Sequence, residues 1–355
     1  MEIFKLMEEM DCEQLIFCYN EPTDLRAIIA IHNSTMGSAS GGCRMYNYPS
    51  EEEAVKDVMR LARGMTMKSS LAGVDFGGGK AVIWGDPNKK SEPMLRVMGR
   101  FVQGLQGRFI TGNDMGTTPE DFALMYKETS HLASLPPEIG GYGDTSKMTA
   151  LGVYHGMRAC LEEVFGTDTL EGRRICIQGT GKVGYELARL LIESGAEVIV
   201  ADAVEQNLQK CKKDLGSEVA SCEEIYDIEA DVFSPNAVGG ILNYDTIPRL
   251  NCSIVAGAAN NQLEEQKHGK MLMERGIVYA PDFVINSGGL IQVSAEVRRK
   301  NIEEVELKVK QIYSAIKDII KVAREKQIPT QDVAEILAME KVELMGKIKR
   351  VNKGE

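Results

Sequence analysis

Between Arg174 and Ala256 the chain alternates short apolar runs with helical segments, and this alternation limits its fold more than any other feature. The runs centre on Ile175-Cys176-Ile177, Val198-Ile199-Val200, Val232-Phe233 and Ile254-Val255-Ala256, with helices predicted between several of them. Such a succession predicts a parallel sheet wrapped by helices. At the first strand-to-helix junction stands Gly179-Thr180-Gly181-Lys182-Val183-Gly184, which fits G-x-G-x-x-G. Alone the pattern is weak; here the strand Arg174–Gln178 precedes it and a helix, 185–194, follows. The glycines permit a tight turn and close approach to a pyrophosphate, and the helix N-terminus favours the anion. The next strand, Glu197 to Ala201, ends at Asp202. An acid there accepts from ribose hydroxyls and repels a 2′-phosphate, so the pattern favours NAD over NADP. A glycine turn beside a solvated aspartate is the bland alternative, and it leaves the conjunction of all five features unexplained.

A second informative stretch is Gly64 to Lys80, where Lys68 and Lys80 flank Gly77-Gly78-Gly79 and Lys80 opens the apolar run Ala81-Val82-Ile83-Trp84. Three glycines would let backbone approach a ligand. Burial at a strand mouth and a second cation nearby both favour a neutral lysine, the form that acts as a base. Lysines are usually solvated surface charges, a reading the flanking glycines and apolar residues disfavour.

The 355 residues suit two domains, and 43% apolar with 26% charged residues describes an ordinary globular chain. A net charge of −11 repels nucleic acid. No apolar stretch is long enough for a membrane span, and the acidic start, Met1 to Met10, reads as a short amphipathic helix rather than a secretory leader. The eight cysteines contain no C-x-x-C pair and read as buried free thiols of a reducing, cytoplasmic compartment. His32, His131, His155 and His268 have no metal-ligand spacing, so no metal is expected.

Along the first part of the chain, strands are predicted over 14–18 and 27–31, helices over 51–63 and 93–105, and a strand over 109–111. A further helix starts at Thr118-Pro119-Glu120-Asp121, with a hydroxyl at the cap, proline at the first position and acids in the first turn. Residues 135–144 break regular structure and read as a connector, followed by a helix over roughly 148–164. The last sixty residues or so are charged and helical.

Five segments, Gly41 to Met45, Lys68 to Lys80, Thr111 to Thr117, the loop near residue 180 and Pro281 to Gly289, are spread in order over nearly the whole chain. In them the sequence resembles the amino-acid dehydrogenases that act on glutamate, leucine, phenylalanine and valine, with the phenylalanine enzymes nearest and the leucine enzymes next. The resemblance implies an α/β fold of two domains with a cleft between them. Residues 1–138 plus 328–355 would form a mixed α/β domain for substrate binding, catalysis and oligomerisation, and 139–327 a doubly wound, Rossmann-type NAD-binding domain. It implies reversible NAD-dependent oxidative deamination of an L-amino acid, L-phenylalanine to phenylpyruvate and ammonia first, leucine or another branched-chain substrate second. It also implies a homo-oligomer, dimer-based, with an octamer among the options.

By the same resemblance Lys80 is the general base, Asp114 the acid that exchanges protons with the substrate amine, and Lys68 the partner of the α-carboxylate. Ser40, Gly41, Met65, Gly112, Asn261, Leu290 and Val293 fall at substrate-contact positions. Thr149, Ala237, Ala258 and Asn261 join the glycine loop (Gly179, Thr180, Gly181, Lys182, Val183, Gly184) and Asp202 at cofactor positions. Capping or core roles compete for Asp114, Thr149 and Asn261; Arg44 is equally a structural ion-pair partner, and Met65 equally core. Gly112 and Leu290 match the phenylalanine group, where loss of a methyl would make room for a ring. Ser40 stands where most relatives carry leucine, which bears on substrate choice and not on reaction class. A non-catalytic NAD-binding regulator is the rival from another class, and it has no need of Lys68, Lys80 and Asp114 together.

Overall fold

A short helix, α1 (Ile3–Met10), leads into two antiparallel strands, β1 (Gln14–Asn20) and β2 (Leu25–Asn33). The computed structural model describes residues 2–352 and divides them into two units. The first runs to Asp144 and takes in Gln292–Lys300 and the chain from Ala338 onward. Its sheet has the order β1-β2-β4-β3-β5, with β3 (Ala39–Tyr46), β4 (Gly77–Trp84) and β5 (Phe109–Asn113). β3 is parallel to both of its neighbours, whereas β2 meets β4 antiparallel.

Successive side chains of a strand point to opposite faces, and both faces of this sheet are covered. Ile28, Ala30 and Val82 pack with Ala54, Val55, Val58, Met59 and Ala62 of the long helix α2 (Glu51–Ala72). Ile29, Ile31, Ala81 and Ile83 pack with Met94, Leu95 and Met98 of α3 (Glu92–Gly104) and with Phe122 and Met125 of α4 (Pro119–Met125). Two-sided burial explains why β2 and β4 read as unbroken apolar runs. α4 begins as its sequence predicts: Thr118 and Asp121 form a reciprocal capping box with Pro119 in the first turn.

α2 runs nine residues beyond the expected end at 63 and stops only at Gly73, whose φ of 63° closes the helix. Tertiary burial of Thr66, Met67, Ser69 and Ser70 carries it through residues of modest helix propensity. Lys68 therefore stands on a helix. The three glycines also play a different part from the one expected. A Cβ on Gly77 would strike the Asn33 carbonyl, one on Gly78 the Thr66 side chain of α2, and one on Gly79 the Phe109 ring at 2.9 Å. They let β4 pack against the protein itself, not against a ligand.

The second unit comprises Thr145–Ile291 and Asn301–Leu337. It opens on α5 (Ser146–Phe165) and continues with β6 (Arg174–Gln178), α6 (Lys182–Glu193), β7 (Glu197–Ala201), α7 (Glu205–Leu215) and β8 (Glu218–Val219). β9 (Val232–Pro235), β10 (Ile254–Val255), α8 (Lys267–Glu274), β11 (Val278–Tyr279) and α9 (Asp282–Ile285) follow. All six strands are parallel in the order β11-β10-β9-β6-β7-β8. Numbered from β6, that is 3-2-1-4-5-6, the doubly wound dinucleotide-binding order, with its switch point between β6 and β9. The remaining helices are α10 (Gly288–Arg298), α11 (Ile302–Lys310), α12 (Ile312–Lys326) and α13 (Thr330–Asn352).

These divisions differ from the expected 138/139 and 327/328. Residues 292–300 group with the first unit because Glu296 accepts from the Leu135 and Tyr142 N–H groups (3.1 and 3.2 Å) and Arg298 pairs with Asp75 (3.0 Å). Such long-range bonds leave no periodic trace in sequence. The C-terminal helix returns to α2, where Ser70 Oγ donates to the Ala338 carbonyl (2.8 Å) and Lys341 Nζ to that of Ser70 (2.7 Å). All eight cysteines are free thiols, and six are buried; Cys222 is exposed and Cys252 half-buried, contrary to the expectation for the whole set. No helix among the described residues is long and apolar enough to cross a membrane.

Candidate active site

Lys80 is the fourth residue of β4, opposite Ala30 of β2, and only 6% exposed. Its Nζ lies 3.1 Å from Asp114 Oδ2, just beyond the end of β5. The turn that carries Asp114 is fixed by Thr117: its hydroxyl accepts from the Asp114 N–H (3.0 Å) and donates to the Cys43 carbonyl (2.8 Å). Arg44 of β3 reaches the same carboxylate oxygen through Nε at 3.0 Å. Burial alone would raise the Asp114 carboxyl, but the Lys80 and Arg44 cations outweigh it and hold it below the usual carboxylate range. Lys80 is thus paired with an anion. An amine and a carboxylate at bonding distance can pass a proton between them.

Around this pair β3 comes close. A Cβ on Gly42 would lie 2.7 Å from Asp114 Cβ and 3.3 Å from Lys80 Nζ, so only glycine leaves the pair undisturbed. A Cβ on the neighbouring Gly41 would run into the Gly79 carbonyl and stand 3.2 Å from Met65 Cγ. Lys68 lies three residues beyond Met65 on α2, half-buried. Ser40 is buried and aligned with Ile110 of β5, and Gly42 is aligned with Gly112. The fold thus gathers Gly41, Met65, Lys80 and Asp114, with Ser40 and Gly112 on the adjoining strands.

Gly112 does not face an empty hollow. A Cβ there would sit 2.8 Å from Ser134 Oγ, on a buried residue held at a φ of 63°. Ser134 and Asp57, the carboxylate behind Arg44, are site neighbours that sequence reasoning missed. Neither carries a local motif; their roles arise from contacts across 22 and 13 residues of chain.

In the second unit the glycine loop joins β6 to α6. Gly179 has a φ of 92°, a left-handed value suited to glycine, and a Cβ there would strike Ala237 at 2.7 Å. Gly184 touches the Gly179 carbonyl with no room for a side chain, which brings α6 down on the strand. At Gly181, by contrast, an added Cβ would meet nothing within 4 Å. Gly181 and Lys182 are exposed and Val183 half-buried, so the N-terminus of α6 opens to solvent. The loop therefore fits a pyrophosphate: open space lies above a helix N-terminus. Ala237 and Ala258 follow the carboxyl ends of β9 and β10, the end at which such sheets take ligands. The Ala258 N–H donates to Asn236 Oδ1 at 2.9 Å.

Asp202 is engaged by its own chain. Oδ2 accepts from the Thr180 N–H (2.6 Å), the Thr180 hydroxyl (3.0 Å) and Asn207 (3.2 Å), and Oδ1 from the Val204 N–H (2.8 Å). Three of these bonds fall on Oδ2 and one on Oδ1, which keeps an acceptor site, so the residue expected to hold a ribose also holds the loop. Burial acts to raise its carboxyl; the Thr180 and Val204 amides outweigh that and lower it. Thr149 donates its hydroxyl to the Thr145 carbonyl (3.0 Å), leaving the oxygen able to accept. Asn261 is exposed at a φ of 52°. Leu290 and Val293 stand three residues apart on α10, buried and half-buried respectively.

A parallel sheet in this strand order, with a glycine loop at its switch point, defines a dinucleotide-binding protein of the Rossmann class. The comparisons narrow the class. The profile of the Glu/Leu/Phe/Val dehydrogenase dimerisation domain matches residues 16–131. That of the Glutamate/Leucine/Phenylalanine/Valine dehydrogenases matches 140–203 and 198–347. The leucine dehydrogenase of Thermoactinomyces intermedius is 48% identical over 348 residues, 98% of this chain and 95% of that protein. The phenylalanine dehydrogenase of the same organism is 48% identical over 353 residues, 99% and 96%. The crystal structure of L-tryptophan dehydrogenase from Nostoc punctiforme superposes with a TM-score of 0.88 at 40% identity, over 97% of this chain and 99% of that one. The chain belongs to the Glu/Leu/Phe/Val dehydrogenase family and is an amino-acid dehydrogenase. Its Rossmann-type domain points to a nicotinamide cofactor. The nearer likeness to phenylalanine enzymes drawn from the motifs is not reproduced, since a leucine and a phenylalanine enzyme are equally similar.

Proposed function

We infer that the chain oxidises an L-amino acid with a large apolar side chain to the 2-oxo acid and ammonia, with NAD as acceptor, L-phenylalanine being preferred and L-leucine second. The observation that carries this reading is the pair of buried Lys80 and half-buried Asp114 against Gly42. In this reading Lys68 pairs with the α-carboxylate, and Asp114 takes a proton from the substrate ammonium so that the nitrogen lone pair is freed. Bound nicotinamide supplies the hydride acceptor. Lys80, as a neutral amine, takes a proton from the water that adds to the substrate iminium carbon, and Asp114 returns a proton to the departing ammonia. The glycine loop and the α6 N-terminus hold the pyrophosphate, and Thr149 Oγ1 accepts from the carboxamide. Ala237, Ala258 and Asn261 lie at loop ends suited to cofactor contact, and Asn261 is assigned to the substrate carboxylate as well.

NAD is favoured because the lowered Asp202 carboxyl is ionised at neutral pH and repels a 2′-phosphate. Ser40, Gly112, Leu290 and Val293 are the residues assigned to side-chain choice. Discrimination by one methylene is worth only ~1–3 kcal/mol, so activity on several large apolar amino acids is expected. The match to a dimerisation domain supports a dimer-based oligomer. NADH formation across a panel of L-amino acids tests the reading. Phenylalanine and leucine should lead; a ranking led by glutamate or alanine would refute the substrate assignment.

A further inference from the structure

Asp114 receives both of its cations on one oxygen. Arg44 Nε donates to Oδ2 at 3.0 Å and Lys80 Nζ pairs with the same oxygen at 3.1 Å, so the closest contacts of both cations fall on Oδ2. Arg44 is itself anchored behind: Nη1 donates to Asp57 Oδ2 at 3.0 Å. Asp57 stands on α2 and is held in turn by Tyr48 Oη on Oδ2 (2.7 Å) and by Arg60 on Oδ1 (2.9 Å). The Arg44 and Asp57 side chains are only 17% and 16% exposed, so this is not a solvated surface pair. Two different N–H groups of one rigid guanidinium thus tie the turn after β5 to α2, a link that lysine, whose three donors share one nitrogen on a flexible stem, does not reproduce in the same geometry.

We propose that Arg44, backed by Asp57, is a positioning residue that pins Asp114 through Oδ2, presents Oδ1 to the substrate amine, and keeps the carboxylate anionic whenever Lys80 is neutral. This rests on the reading of Lys80 and Asp114 as the proton-exchanging pair. The reaction requires Lys80 to give up its charge, and at that moment Asp114 loses one of its two counterions. Arg44 keeps its proton throughout, so the carboxylate remains partnered. Asp57 partly neutralises Arg44, so Arg44 and Asp57 act on Asp114 with opposite sign. Cys43 of β3 also feels this carboxylate, its thiol pushed up to about 12 by burial and so uncharged, as it feels Asp121 of α4, which is paired with Lys90; Lys68 of α2 is the further cation assigned to the site.

The test compares Arg44→Met, Arg44→Lys and Asp57→Asn with the wild type, after circular dichroism and NADH binding establish that each is folded. Arg44→Met should lower kcat by about 100-fold through misplacement of Asp114, with KM changed by less than about threefold. It should also move upward the acid limb of the pH–rate profile, which Lys80 and Asp114 set as a coupled pair, because a cation is lost beside both. Asp57→Asn should lower kcat less and move that limb downward, because Arg44 then acts on Asp114 alone. Arg44→Lys should keep the limb near its wild-type place while kcat still falls. The Asp114 carboxyl is followed independently of turnover by infrared titration of protein labelled with carbon-13 aspartate, its band identified by Asp114→Asn. Should Arg44→Met fail to fold, Asp57→Asn and Arg44→Lys decide the matter. Limbs and bands that stay put, or that move the same way in Arg44→Met and Asp57→Asn, overturn the proposal. A wild type that reduces NAD with no L-amino acid overturns the parent reading instead, and the infrared titration still judges the role of Arg44.

Discussion

At Gly112 the side-chain position points at Ser134 Oγ, 2.8 Å from where a Cβ would stand. An alanine there must displace that hydroxyl, so Gly112→Ala is expected to cost about 1–3 kcal/mol as an overpacked site. Ser134→Gly should relieve it, because a φ of 63° suits glycine and the obstructing oxygen is gone. The double variant should therefore be more stable than the sum of the singles. Denaturant midpoints in a double-mutant cycle measure this coupling, and strict additivity would remove Ser134 from the account. Substrate choice at Gly112 would then act through Ser134 rather than by opening space directly. In the sequence Lys80 and the glycine loop stand out by local pattern, and Asp114 is singled out by the family resemblance. Ser134 and Asp57 are not legible there, because only the folded chain brings them to Gly112 and Arg44.

At the scale of elements, the loop between β6 and α6 depends on Asp202 as much as any ligand would. Asp202→Ser removes the acceptor for Thr180 and Val204, so binding of both NAD and NADP should weaken while the gap between them narrows. Fluorescence titration with NADH and NADPH reads this out; an unchanged preference would detach Asp202 from cofactor choice. Helix α5 offers a pH test. His155 is buried, and burial, with Arg158 and Lys310 adding to it, lowers its pKa from 6.5 to about 4. The folded state keeps this histidine neutral while the unfolded chain binds a proton. Its contribution is therefore full above about pH 6.5 and is lost as pH falls toward 4, by up to roughly 3 kcal/mol. The stability difference between wild type and His155→Gln should shrink by about 2 kcal/mol between pH 7 and 4.5 in urea titrations; a difference independent of pH would contradict the buried-neutral assignment. Element identity was legible wherever apolar period and caps agreed, as at α4. No strand was predicted over β3, whose Ser40, Gly41 and Gly42 show no apolar alternation; pairing with β4 and β5 makes it a strand. β8 and β11, two residues each, are too short to leave a pattern.

For the whole molecule, the alternation from Arg174 onward foreshadows the six parallel strands, and the connector near 135–144 foreshadows the division at Asp144. The return of residues 292–300 and of the chain beyond Ala338 to the first unit was legible only in part, because it rests on bonds such as those of Glu296 and Ser70. The central claim is that Lys80, paired with Asp114, drives oxidative deamination of a large apolar L-amino acid. Its most direct test is single-turnover NADH formation from L-phenylalanine and L-leucine by the wild type and Lys80→Ala, with NAD affinity measured in parallel. The expected result is rapid NADH formation by the wild type on both substrates, and loss of turnover in Lys80→Ala by a hundredfold or more, on the order expected for removal of a general base, at unchanged NAD affinity. Near-normal turnover in folded Lys80→Ala would contradict the account.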